Sequence, residues 1–240
     1  METKLNYKRT FLIGLAFLSI CSFWQMYDNI IPLILQNTYH LGETMTGAVM
    51  ALDNVLAIFL LPVFGTLSDK VHTKLGRRMP FIVSGTILAV IFMMLLPMID
   101  NAEKARWGTV ESFSNQVIFL AVLFFTLVSM GLYRSPAVAL MPDVTPNHLR
   151  SRANAVINLM GAVGGVYALI MIKVLVGKGE TPDYLPLFAS IAAVMAIAVG
   201  ILVITIRENK LREEVEKAEA ANAGTIEEKA MAEGVEAAGE

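Results

Sequence analysis

Gly65-Thr66-Leu67-Ser68-Asp69-Lys70-Val71-His72-Thr73-Lys74-Leu75-Gly76-Arg77-Arg78-Met79-Pro80-Phe81 separates two long apolar runs. The stretch is short and strongly basic, and Pro80-Phe81 restarts the hydrophobic pattern. Basic loops between membrane-crossing helices stay on the cytoplasmic side. The glycines and Asp69 allow two helix ends to approach closely.

The 240 residues are 55% hydrophobic and 17% charged, outside the range of ordinary soluble domains. The apolar residues fall in blocks long enough to cross roughly 30 Å of hydrocarbon, which takes about 20 helical residues. Six spans are expected, near 10–36, 45–67, 80–99, 116–140, 153–176 and 185–206. Lys4, Lys8 and Arg9 before the first run resemble a signal-peptide start. That run continues to Gln36, past any h-region, so it is read as a retained helix. The expected fold is an all-α membrane protein, with a bundle over 1–206 and an acidic tail or linker over 207–240. The tail holds ten acids against five cations and no aromatic residue. Such a composition predicts a solvated, disordered or partly helical segment.

Fourteen of the nineteen Lys and Arg residues lie in the N-terminus, the second and fourth loops and the tail. This asymmetry puts both termini in the cytoplasm, and the expected location is the cell membrane. The loop Asn101 to Gln116, with Trp107, falls on the outer side.

Ionisable side chains within spans are costly and call for an explanation. Asp28 and Asp53 each lie about eight residues, roughly 12 Å, from the outer end of antiparallel consecutive helices. Two carboxylates at one depth can face one cavity, where like charges resist joint ionisation. Gln25, Asp28, Asn29 and Pro32 share a face of the first helix, and Asn54 follows Asp53. These residues line either a solute and proton pathway or a hydrogen-bonded packing contact. Trp24 and Tyr27 offer either flat faces for a sugar ring or ordinary packing surfaces. Arg134, beside Ser135-Pro136, serves either the pathway and gating or a structural ion pair with an inner acid such as Asp143. Asn154 and Asn158, on a helix with Gly161, Gly164 and Gly165, serve either a close helix contact or a polar ligand.

No phosphate loop, nucleophile elbow, His-Glu-x-x-His or redox Cys pair occurs. Cys21 is the single cysteine, and the three histidines have no metal-ligand spacing. The sequence therefore points away from an enzyme, a bound metal, a cofactor or a nucleic-acid partner.

Gly65-x-x-x-Asp69-Lys70 followed by Gly76-Arg77-Arg78-x-Pro80-Phe81 resembles the signature loop between helices 2 and 3 of the major facilitator superfamily. Its spacing is similar to the sucrose/proton symporter branch, near the glycoside–pentoside–hexuronide transporters. Arg134-Ser-Pro136-Ala-Val-Ala-Leu-Met-Pro-Asp143 and Arg150-Ser-Arg152-Ala-Asn154-Ala resemble that branch's segment from helix 4 to helix 5. The resemblance implies that Gly65 is a close-contact glycine. It implies that Asp69 caps or pairs across to another half, and that Arg77 or Arg78 reaches Asp143 in a latch. It implies proton-coupled symport of a sugar or glycoside by alternating access, with Asp28 as the proton-handling acid. Ala57 and Leu61 stand where a melibiose-permease type of cation site needs aspartates, which argues against sodium at that site. Members of the superfamily have twelve helices with the substrate site between two halves. Six helices and an acidic segment correspond to the first half, so a truncated chain needing a second half is expected. The competing readings are a membrane-embedded anchor or interaction protein and an inactive transporter fragment.

Overall fold

The computed structural model describes residues 5–106, 113–177, 179, 182–217 and 219–220. Lys4, Trp107, Lys178 and the tail from 221 onward, Lys229 included, lie outside the described residues. The elements are α1 (Tyr7–Asn37), α2 (Glu43–Met50), α3 (Leu52–Lys70), α4 (Met79–Lys104), α5 (Phe113–Asp143), a 3₁₀ turn (Asn147–Leu149), α6 (Arg150–Leu175) and α7 (Leu185–Thr205). With α2 and α3 taken together, six helices are long and apolar enough to cross a membrane. No strand occurs among the described residues. The second span departs from the expected single helix by a break at Ala51.

Lipid gives helices no hydrophobic reason to associate, so close packing and buried polar contacts hold the bundle. α1 starts on Asn6, whose side chain accepts from the Arg9 N–H at 3.2 Å. It packs most extensively against α6, and α4 against α5. Gly164 has its α-carbon so close to the Leu18 backbone that a Cβ there would overlap the carbonyl. Ser22 Oγ donates across this contact to the Gly164 carbonyl at 2.9 Å. Gly85 of α4 abuts the Tyr133 backbone of α5 in the same way. The Tyr133 hydroxyl then meets Ser19 Oγ at 2.7 Å and the Ala16 carbonyl at 3.1 Å, tying α5 to α1.

At the end of the bundle away from the 65–81 loop, buried Asp100 accepts from Thr38 Oγ1 at 2.7 Å and from Lys104 Nζ at 2.6 Å. Lys104 also donates to the Pro182 carbonyl at 2.7 Å and lies 4.4 Å from the Tyr184 ring centroid. A buried carboxylate needs such a set of partners. Asp183 caps α7 by accepting the Leu185 N–H at 2.9 Å, and it takes the Asn101 amide at 2.7 Å. The Asn101 amide, then the Leu185 N–H, hold the Asp183 carboxyl below its ordinary range. Burial, with Asp100 nearby, raises the Tyr184 phenol.

α3 contrasts with the other helices. Its one buried residue is Ser68, and Val55, Ile58, Phe59, Val63 and Leu67 are exposed. On α6, Leu159, Val163, Val166, Ile170 and Val174 are likewise uncovered.

Candidate functional site

The loop after α3 folds as a tight turn. The Thr73 N–H donates to the Gly76 carbonyl at 3.3 Å, and the Gly76 N–H returns to Thr73 at 3.2 Å. Gly76 takes φ +127°, a conformation that L side chains rarely adopt. A Cβ at Gly76 would run into the Glu208 carboxylate. The turn delivers two guanidinium groups to one acid. Arg77 Nη2 and Arg78 Nε each lie 3.0 Å from Asp143 Oδ2 at the end of α5. Arg78 also donates to the Gly65 carbonyl at 3.1 Å, to Ser68 Oγ and to Asp69. Arg77 lies 3.7 Å from Asp69. Gly65, Asp69, Gly76, Arg77, Arg78 and Asp143 thus form one contact network. The planar fork of Arg78 reaches four acceptors, which a lysine ammonium does not.

Glu208 completes this network and was not apparent from the sequence. It is 1% exposed, and its carboxylate accepts the N–H groups of Arg77, Arg78 and Met79 at 2.9 to 3.1 Å. These are orphan donors at the start of α4, where the helix dipole also favours a negative charge. The signal was an acid directly after Arg207, where the charge pattern asks for cations. Residues 208–217 are helical, and Arg9 reaches Glu214 at 3.5 Å. The start of the acidic segment is therefore docked on the bundle where composition alone predicts solvation. Three backbone donors and a glycine notch supply the anchoring that composition does not show.

A second site opens between α1 and α6. It is a groove of about 420 Å³ lined by Phe17, Cys21, Trp24, Gln25 and Asp28 of α1 and by Ile157, Asn158, Gly161 and Gly165 of α6. Asp28 and Asn158 are exposed and Gln25 is half-buried over Gly165. Asp53 lies within electrostatic range of Asp28. The Asp53 side chain accepts from the Asn54 amide at 2.9 Å. The Asn29 amide donates to the Gln25 carbonyl at 2.7 Å and does not line the groove. Asn154 is exposed near the start of α6, outside the lining.

The structure narrows two of the open alternatives. Arg134 does not pair with Asp143, which lies nine residues, roughly 13 Å, further along the same helix and is held by Arg77 and Arg78. Arg134 instead stacks on Trp24, its Cζ 5.5 Å from the ring centroid, a cation–π contact. Tyr27 is 1% exposed and stacks on Phe23 with centroids 6.1 Å apart. Its ring is packing and offers no face to a solute. Trp24 remains at the groove wall.

The Major Facilitator Superfamily model matches residues 13–234. The chain belongs to that superfamily. As a member of the Major Facilitator Superfamily with six helices suited to crossing a bilayer, it is an integral membrane protein. It is similar to Sucrose transport protein SUT3 of Oryza sativa subsp. japonica, 26% identical over 137 residues, 54% of this chain and 27% of that protein. It is similar to Sucrose transport protein SUC4 of Arabidopsis thaliana, 34% identical over 116 residues, 45% of this chain and 22% of that protein. An uncharacterized symporter of Synechocystis sp. is 24% identical over 144 residues, 58% of this chain and 25% of that protein. The chain thus spans about a quarter of the length of these curated relatives.

Proposed function

We propose that these helices form the first half of a secondary active transporter that carries a sugar or glycoside together with a proton by alternating access. The observation that carries this reading is the groove between α1 and α6. It places an exposed carboxylate, an amide on each wall and a tryptophan in one apolar-lined channel. Hydroxyl-rich solutes need hydrogen-bonding groups of this kind, and a sugar ring has an apolar face that stacks on Trp24. The relatives, two sucrose transport proteins and a symporter, support the same solute class and the coupling.

Asp28, with Asp53 as its like-charged neighbour, takes up and releases the proton as the groove alternates between wet and dry. Gln25 and Asn158 bind solute hydroxyls, and Arg134 positions Trp24. Asn29, Asn54 and Asn154 extend the polar path. The uncovered faces of α3 and α6 fit a second six-helix half, with the solute site between the halves. The network of Arg77, Arg78, Asp69 and Asp143 then holds one end of the pathway shut. The cation distribution supports a cytoplasmic position for that end and for both termini.

The test is Asp28→Asn in the transporter that contains these helices. Proton-driven sugar accumulation should be lost while sugar exchange across the membrane continues. Accumulation at the level of the unaltered protein would remove Asp28 from the coupling.

A further inference from the structure

A second groove lies on a different side of the bundle, between α4 and α7. Val83, Thr86, Ile87, Val90 and Ile91 form one wall, and Ala196, Val199, Gly200, Val203 and Ile204 the other. Both sets step along their helices by three and four residues, so each is one continuous face. The groove holds about 420 Å³. Thr86 is its one polar side chain, and its hydroxyl is already bonded to the Ile82 carbonyl at 2.7 Å. The walls therefore offer a ligand no free side-chain donor and a single buried hydroxyl oxygen as acceptor, a poor match for a sugar or other polar solute.

Each wall covers eight residue steps, roughly 12 Å of helix. A hydrocarbon chain suits walls that are apolar along this whole length. Gly200 keeps the floor open, with nothing within 4 Å of where its Cβ would be. Ile87, Ile91 and Ile204 are exposed along the rims.

Charge marks where the chain's headgroup lies. Val83 and Ile204 form the end of the groove nearest the 65–81 loop, and Arg207 and Lys210 lie three and six residues after Ile204. The Asn209 amide donates to the Thr73 carbonyl at 3.0 Å, which brings Lys74 alongside these two. Lys74, Arg207 and Lys210 are exposed, and none has a carboxylate partner among the described residues. The acid between them, Glu208, is turned inward onto the α4 backbone. Juxtamembrane cations of this kind attract anionic headgroups.

We infer that this groove binds one acyl chain of an anionic phospholipid whose phosphate is held by Lys74, Arg207 and Lys210. The site is independent of the α1–α6 groove and of the transport reading. It would make the packing of α4 on α7, and through Glu208 the loop network, sensitive to the lipid composition of the membrane.

The test uses the purified full chain in detergent, with native mass spectrometry counting added phosphatidylglycerol or phosphatidylcholine of identical acyl chains. Phosphatidylglycerol should be retained preferentially. Gly200→Leu should lower its retention about tenfold, the effect of roughly two methylenes losing their place. Ala196→Leu, at an exposed position, fills the end of the groove away from Ile204 and guards against a folding defect in the first variant. Arg207→Gln with Lys210→Gln should erase the preference between the two lipids and leave phosphatidylcholine retention unchanged. Equal retention of both lipids by the unaltered chain would overturn the inference. So would retention unaffected by both groove-filling variants.

Discussion

Arg78 Nε and Asp143 Oδ2 lie 3.0 Å apart where the start of α4 meets the end of α5, and Arg77 shares the same oxygen. The Arg78 side chain is 7% exposed and that of Asp143 16%, so this pair is mostly shielded from water. Removing one member of such a pair leaves a charge uncompensated. Asp143→Asn should lower stability by about 3 kcal/mol, measured by thermal unfolding in detergent. Arg78→Lys keeps the charge and loses the fork, and should cost about 1–2 kcal/mol. Unchanged melting in both would show that the network contributes nothing to the fold.

Gly76→Ala combines a positive φ with a Cβ directed into the Glu208 carboxylate. The expected loss is about 1–3 kcal/mol. Glu208→Gln removes the charge that faces the α4 amides and should cost about 1–2 kcal/mol. Thermal melts of the two single variants and the double variant test the coupling. The double variant should lose less than the sum, because both changes disrupt one contact.

Gly164→Ala should be far more damaging than Gly47→Ala. A Cβ at Gly164 meets the Leu18 backbone, which has no flexible end to move, whereas nothing lies within 4 Å at Gly47. Overpacking of this kind costs about 1–3 kcal/mol. Comparable melting temperatures for the two variants would contradict the close α1–α6 approach.

Asp183 gives a pH dependence with a definite sign. Its carboxyl is held below the ordinary range in the fold by the Asn101 amide and the Leu185 N–H. A depressed folded value means that the stabilisation is complete above the unfolded value, about pH 4, and fades as pH falls through the folded one. The effect is small because the group is exposed and screened. The difference in melting temperature between the unaltered chain and Asp183→Asn should shrink from neutral pH toward pH 3. A difference that grows on acidification would contradict the assignment.

Much of this architecture is legible in the sequence, because a bilayer leaves few options. Apolar runs of sufficient length must be helices, and the 65–81 stretch names its own neighbours. Arg77 and Arg78 were identifiable from that stretch and Asp143 from the 134–143 segment, through their similarity to a known family. Glu208 was not, because an acid in an acidic segment looks solvated until its three amide partners are placed around it. Asp100 and Lys104 form an i, i+4 pair whose burial depends on Thr38, Pro182 and Tyr184, far away in sequence. The contact of Arg134 with Trp24 was not legible, because linear distance along α5 does not reveal a ring on a neighbouring helix. Pairing across helices is what a single sequence conceals.

The central claim is that one face of α1 borders a water-reachable path while the opposite face is sealed in the bundle. Cysteines placed singly along α1, in a chain with Cys21→Ala, and treated with a membrane-impermeant maleimide measure this directly. Positions 25 and 28 should react, and positions 23 and 26, both 1% exposed, should stay protected. A cysteine at position 28 as unreactive as one at position 23 would contradict the account.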